Sequence, residues 1–335
     1  MHMADALLSS PVGGAMYAAG AGAIGWAAKK IGRDPQLERK LPLMAMSGAF
    51  VFAAQMINFT IPGTGSSGHL GGGMLLAGLL GGAPALLTLT AVLIVQCLFF
   101  ADGGLLALGA NIFNMGVIPC LIVWPLIFRP ILSKGLTRGR LWMASVLACV
   151  ISLQLGAFGV VLETLCSGVT ELPFGLFISL MQPIHLAIGL VEGLVTAGIL
   201  TYVLQTRPEL LTSNLSPQSE LGSASLKPLV VSLAVLAVLA GGGLSLLASS
   251  HPDGLEWSIQ RITGSAELER SDAAHSQAAA VQSSLAVLPD YDFPSGQGKG
   301  TSASGLLGAA LTCALAGVMG LAVSFCKKRR GTPAA

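Results

Sequence analysis

The histidines are the residues of this chain best placed to do chemistry. His2 stands second, and a methionine before a bulky residue is expected to be retained, so the free amine is expected on Met1. The Met1 amine, the His2 amide nitrogen and His2 Nδ1 close a five- and a six-membered ring on one cation. Three nitrogens in a plane leave one in-plane position, which His69 is able to fill. Tetragonal nitrogen sets suit Ni(II) or Cu(II). Asp5 is the only charge in Met1–Ser10 and a candidate acceptor to orient His2. The plainer reading of His2 is an unstructured chain end. His185 and Glu192 are seven apart, on one face of a helix. Ionisable residues at membrane depth are functional candidates, either as a pair holding helices together or as a step on a metal path. Glu163 resembles them but lies nearer the end of its run. His251 and His275 fall in a polar stretch and read as solvated.

Other motifs carry less. Gly63-Thr-Gly-Ser-Ser-Gly68 has the letters of GxGxxG. The dinucleotide fingerprint needs a strand before it and an acid about 20 residues later, and neither is expected here. The stretch reads as a loop whose glycines let backbone approach closely. There is no GxxxxGK[ST], so ATP-driven work needs a partner. The cysteines at 97, 120, 149, 166, 313 and 326 stand singly without a CxxC pair, and read as packing residues.

The elements that must position these groups follow from composition. A soluble domain carries about 25% charged residues; this chain has 10%, with 53% hydrophobic residues and a mean hydropathy of +0.75. That excludes a soluble enzyme and most nucleic-acid binders. Apolar runs of bilayer-spanning length, about 20 residues, cover 10–28, 41–61, 74–100, 105–128, 141–165, 174–205, 229–248 and 303–326. The third is broken at Gly81-Gly82-Ala83-Pro84, because glycine pairs and proline interrupt helices. Splitting it into Gly71–Leu80 and Pro84–Phe100 gives nine spans. With nine, 15 of the 18 Lys and Arg fall on one side, as the positive-inside rule requires. The N-terminus is then outside and the C-terminus cytoplasmic, in a bacterial or archaeal inner membrane. Basic residues follow the first span rather than precede it, so the span reads as retained. Ala15, Ala19, Ala23 and Ala27, and Ala45, Ala49 and Ala53, form small-residue faces for packing within the bundle or docking another subunit.

Residues 1–205 hold seven spans, 206–227 form a cytoplasmic linker, and 228–330 hold two spans around a long outer loop, 249–302. The polar stretch Gly264–Ser284 is expected to take its order from a partner surface.

Several separated motifs agree, in order, with one family. Met1-His-Met-Ala-Asp5, Phe52-Ala-Ala-Gln-Met-Ile-Asn-Phe59, Gly65-Ser-Ser-Gly-His-Leu-Gly-Gly72, Asp102-Gly-Gly104, Gly109-Ala-Asn-Ile-Phe-Asn-Met-Gly116 and Pro183-Ile-His-Leu-Ala-Ile-Gly189 resemble the CbiM/NikM family. These are substrate-binding membrane components of energy-coupling-factor transporters for cobalt and nickel. Pro252-Asp-Gly-Leu-Glu-Trp257 is similar to the opening of the PDGLE/CbiN-type small subunit, so the whole resembles a fused NikMN or CbiMN chain. Family members often continue His-Ile-Pro-Asp-Gly or His-Ile-Met-Glu-Gly; here the run is His2-Met-Ala-Asp-Ala6, which leaves the chelate intact.

The resemblance implies an all-α polytopic fold, a seven-helix bundle followed by a two-helix domain. It implies a transported Ni2+ or Co2+ held by the Met1 amine, His2 and His69, no nucleotide on this chain, and partners comprising a membrane coupling subunit and cytoplasmic ATPases. Fusion of the two parts favours nickel. Three other functions compete: an intramembrane metalloenzyme on His69, His185 and Glu192, a carrier of another ligand such as a vitamin, and a metal accessory protein without transport of its own.

Overall fold

In a computed structural model of the chain, residues 2–215, 225–268, 270, 272–293 and 300–331 are described. The Met1 amine and linker residues 216–224 lie outside these. A short 3-10 turn at Asp5–Leu7 precedes α1 (Ser10–Ile31) and α2 (Leu37–Gln55). A hairpin of β1 (Phe59–Ile61) and β2 (Ser66–Gly68) leads to α3 (Gly73–Leu80) and α4 (Gly82–Phe100). Then come α5 (Leu108–Ser133), α6 (Arg138–Ser167), α7 (Phe174–Thr206) and the short α8 (Pro208–Leu215). The second part has α9 (Lys227–Gly242), α10 (Gly254–Thr263), α11 (Ala273–Leu285) and α12 (Thr301–Gly331). The expected all-α polytopic fold is found. Among the described residues five helices are long and apolar enough to cross a membrane: α4, α5, α6, α7 and α12.

The third apolar run is broken at Gly81, as its glycines require, but the first piece is no full span. α3 has eight residues, about 12 Å of helix, against a hydrocarbon core of about 30 Å. Irregular backbone at residues 69–72, with Gly72 left-handed, leads into α3. Non-helical backbone is tolerated at membrane depth where protein surrounds it, and residues 72–80 are all buried. α4 beside it is buried around nearly its whole girth. In α5, Ile112–Phe128 is wound as a π-helix, and Arg129 N–H reaches back five residues to Trp124. Pro119 and Pro125 lie in this stretch. Proline clashes with the carbonyl four residues back in an α-helix, and wider winding relieves it.

Alternating helices bring His2 and His69 to one end of the bundle and the basic clusters to the other. At the basic end Lys40 Nζ lies 3.0 Å from Asp34 Oδ2, Lys327 Nζ donates to the Asp34 carbonyl, and Arg129 Nε donates to the Leu215 carbonyl. Asn214 Nδ2 donates to the Gly78 and Leu79 carbonyls, holding α8 under α3.

The two small-residue faces have different fates. Ala49 and Ala53 are buried, and Ala45 is half-buried facing Gly317 of α12. Ala15 and Ala19 are exposed, while Gly13, Gly20 and Ala27 supply the buried side of α1. α9 and α12 cross where a Cβ on Gly305 would lie 2.3 Å from the Gly241 carbonyl oxygen. The sequence expectation gives 264–284 its order from a partner surface; here α11, within that stretch, packs on the first part of the same chain. His275 is consequently buried, 3% exposed, and not solvated as its polar neighbours suggest.

Overfilling a packed site costs about 1–3 kcal/mol, so Gly305→Leu is expected to part α9 from α12 and lower the thermal midpoint in detergent by several degrees. An unchanged midpoint would contradict this crossing.

Candidate metal centre

The N-terminal arm runs into the bundle rather than away from it. Met3, Leu7 and Leu8 are fully buried, and an arm placed there needs a partner for each polar group. Met3 N–H donates to Asn111 Oδ1 at 2.8 Å, and Asn111 Nδ2 returns a bond to the Met3 carbonyl at 3.2 Å. Gly104 N–H donates to the same carbonyl. The Asp5 carboxylate accepts from Ala107 N–H at 3.0 Å, which pins the arm to the turn before α5.

This geometry corrects the expected role of Asp5. Asp102 takes the place beside His2 instead: its Oδ1 lies 3.2 Å from His2 Nδ1, and its Oδ2 accepts from the Tyr291 hydroxyl at 2.5 Å. On the other side of the ring, His2 Nε2 meets Gln96 Oε1 at 3.1 Å. Gln96 spends its amide N–H on Gln55 Oε1 at 2.9 Å, so its oxygen accepts and His2 Nε2 carries the proton. With Nε2 protonated, Nδ1, the nitrogen a chelate needs, faces the Asp102 carboxylate, which is also an acceptor, so that contact calls for a proton or a cation between the two groups.

His69 follows β2 directly. Its Nδ1–H donates to the Leu70 carbonyl at 3.1 Å, leaving the lone pair on Nε2. Gln55 Nε2 donates to the Gly71 carbonyl. The Glu192 carboxylate accepts from Gly71 N–H at 2.8 Å and Gly72 N–H at 3.0 Å. A buried carboxylate is tolerable when hydrogen bonds satisfy it, and here it fixes the His69 backbone. Glu192 and His185 share a buried face of α7, as their spacing requires, but they do not bond each other. His185 Nδ1 donates to the Met181 carbonyl at 2.7 Å. Its Nε2 has no protein partner and is buried, beside a cavity of about 10 Å³ lined by His69, His185 and Asp253 among others. That is room for about one water.

The second part of the chain closes over this end. Ser67 N–H donates to the Pro252 carbonyl at 2.8 Å, and Ser67 Oγ to the His251 carbonyl at 2.8 Å. Trp257 Nε1 donates to the Thr64 carbonyl. Asp253 and Glu256 form a capping box at the start of α10, satisfying otherwise unpaired N–H groups. Asp253 Oδ1 accepts the helix N–H groups, while Oδ2 lies 4.0 Å from His69 Nε2. Gly254 must be glycine here, because a Cβ would lie 2.5 Å from Ile184 and 3.2 Å from His185 Cε1. Burial alone would raise the Asp253 carboxyl, but surrounding charge and hydrogen bonds, His69 and Glu256 N–H among them, hold it below the carboxylate range.

The His2 and His69 rings stack with centroids 5.2 Å apart and planes 15° from parallel. Burial lowers both from the usual histidine value, His69 to about 4, so both present unprotonated nitrogens at neutral pH. Among the described residues no three His, Cys, Asp or Glu side chains gather as a metal group. A cation here would therefore need main-chain nitrogens beside the two imidazoles, which are the donors an N-terminal chelate supplies. Sequence reasoning missed Gln55, Gln96, Asp102 and Asp253. Gln55, Asp102 and Asp253 lie within the quoted motifs and Gln96 inside α4, yet nothing in their types predicts these contacts.

Residues 2–210 match the family described as the cobalt uptake substrate-specific transmembrane region, CbiM. The chain belongs to the CbiM family. Residues 227–325 match the PDGLE domain, so a CbiM region and a PDGLE domain are joined in one chain. A protein of Archaeoglobus fulgidus with the NikMN name is 30% identical over 94% of this chain and 96% of its own. The fused nickel transport protein NikMN of Rhodobacter capsulatus is 29% identical over 88% of this chain and 84% of its own. A crystal structure of a transition metal transporter, 31% identical, superposes with a TM-score of 0.54 over 62% of this chain and 94% of that one.

With its pKa near 4, His69 stays neutral as the pH falls through 6.5, where an unfolded histidine takes up a proton. Unfolding then binds a proton, and this group weakens the metal-free fold from about pH 6.5 down to about pH 4, below which the loss is complete. The imidazole nitrogen shifts of His69 are expected to titrate near 4; a midpoint near 6.5 would refute the buried placement.

Proposed function

We propose that this chain is the metal-binding membrane component of an ATP-driven energy-coupling-factor transporter that imports nickel ions. The observation that carries the reading is the buried, stacked pair of His2 and His69: His2 gives Nε2 to Gln96 and turns Nδ1 to the Asp102 carboxylate, and His69 gives Nδ1 to the Leu70 carbonyl and keeps Nε2. The ion is the cargo. Its ligands are the Met1 amine, the His2 amide nitrogen, His2 Nδ1 and His69 Nε2, in one plane. Deprotonating the amide releases a proton, so affinity falls in acid. Asp102, Gln96 and Glu192 hold the ligands in place, Asp5 anchors the arm, and His185 with its open Nε2 lies on the inward path.

In this reading residues 1–205 bind the ion, 206–227 are the cytoplasmic linker, and 228–330 assist loading through loop 249–302. The N-terminus faces outside and the C-terminus the cytoplasm of a bacterial or archaeal inner membrane. A membrane coupling subunit and cytoplasmic ATPases supply the energy. The fused nickel transport relative supports nickel; the cobalt uptake description of the family supports cobalt as the second reading.

The decisive experiment is calorimetric titration of Ni2+ into detergent-purified protein with bound metal assayed. Loss of outer contacts around a metal already costs about 10–100-fold, and His2→Ala or His69→Ala, which remove ligands, are expected to exceed that. Unaltered affinity in both variants would sink the site. An extension before Met1 should abolish binding, whereas a vitamin carrier would tolerate it. In competition nickel is expected to displace cobalt, following the order of divalent affinities; the opposite preference would move the assignment to cobalt.

A further inference from the structure

His275 lies in α11, outside every motif discussed above, and is buried. Both of its ring nitrogens face acceptors. Nδ1 lies 2.7 Å from Asp272 Oδ1. Nε2 lies 3.0 Å from the Asp5 carbonyl and 3.0 Å from the Leu8 carbonyl. A carbonyl or a carboxylate only accepts, and a neutral imidazole has one N–H. The ring must therefore carry two protons and a positive charge to satisfy its surroundings. The charged groups around it agree. Asp272 caps α11 and is itself held 2.6 Å from Arg270 Nε. Asp5, on the arm, turns its carboxylate to Ala107 N–H while its carbonyl faces the ring. Burial alone would lower His275, but Asp272 and the two carbonyls outweigh it and raise the ring above the ordinary histidine value.

The same segment grips the other side of the His2 cradle. Gln282, two turns along α11, donates to the Cys97 carbonyl at 3.0 Å and the Gly103 carbonyl at 2.7 Å. Val287 and Leu288 N–H donate to the Phe99 carbonyl. Tyr291 then reaches Asp102, the partner of His2. The arm and the Asp102 loop are thus held by one continuous stretch of the second part.

We infer that His275 is a positioning residue for the chelating arm: as a doubly protonated ring it bridges Asp272 to the Asp5 and Leu8 carbonyls and latches residues 2–8 in the bundle. The latch acts on His2 from behind, through main-chain carbonyls, and touches no ligand. Its consequence for metal binding rests on the reading that His2 and His69 hold the ion; the latch itself does not. Above its pKa the ring loses one donor, so the latch weakens in alkali while the chelate weakens in acid.

The test uses the full chain in detergent. Hydrogen exchange at the Leu7 and Leu8 amides, which bond the Ala4 and Asp5 carbonyls, is read in metal-free protein, and Ni2+ affinity is read separately. Hydrogen bonds to a charged group contribute enough that His275→Ala is expected to speed exchange there about tenfold and weaken Ni2+ about tenfold. The visible absorption band of the saturated Ni2+ protein should not change, because the ligands are untouched. His275→Arg, which keeps a charged double donor, should restore exchange to within about twofold. In wild type, exchange at these two amides should rise at alkaline pH beyond its intrinsic slope, and this excess should vanish in His275→Ala. Unchanged exchange at Leu7 and Leu8 in His275→Ala would overturn the latch. So would exchange rising equally throughout both variants, the mark of a packing residue. If wild type and His2→Ala bind Ni2+ equally while the exchange results hold, the metal reading fails and the latch stands.

Discussion

A polar arm, residues 2–8, buried inside an apolar bundle is the constraint on which the remaining features depend. Each unsatisfied backbone group in such a place costs several kcal/mol. The helix bundle meets the requirement with a relay of amides: His2 to Gln96, Gln96 to Gln55, Gln55 to the Gly71 carbonyl, and the Gly71 and Gly72 amides to Glu192. The relay joins the arm to the His69 loop, so one histidine cannot move without disturbing the other's support. It also gives His2 Nε2 its acceptor, because Gln96, whose amide donates to Gln55, presents its oxygen to the ring.

The short α3 belongs to the same solution. A continuous helix from Gly68 onward would satisfy its own amides and leave Glu192 nothing to bind. By starting the helix only at Gly73, the chain frees the Gly71 and Gly72 N–H groups at membrane depth and closes them with a carboxylate from α7. The buried acid and the irregular loop are thus mutually necessary, and either alone would be an unpaired polar group in an apolar surround.

The all-α architecture was legible because it rests on long-range composition: apolar run lengths, the break at Gly81-Gly82, and the sidedness of Lys and Arg. His2 and His69 stood out from chelate chemistry and separated motifs, and the fold brings their rings together. What escaped was side-chain partnership across distant segments. Asp5 is three residues from His2 and looks the natural orienting acid, yet Asp102, a hundred residues on, takes that role because the turn after α4 folds back on the arm. His275 sits among serines and alanines, and only the docking of α11 buries it. Neither contact has a periodicity or a spacing to betray it.

The separation in sequence between the arm and its latch sets an order of events. His275 lies 270 residues after Asp5. At synthesis rates of about 5–20 residues per second, roughly 15–55 seconds pass between the two leaving the ribosome's catalytic centre. The arm is thus made well before the segment that packs on it, and these contacts form only once the later part of the chain is in place. A molecule cut short before α11 would keep both histidines but lack the His275 and Gln282 contacts to the arm and to the turn after α4.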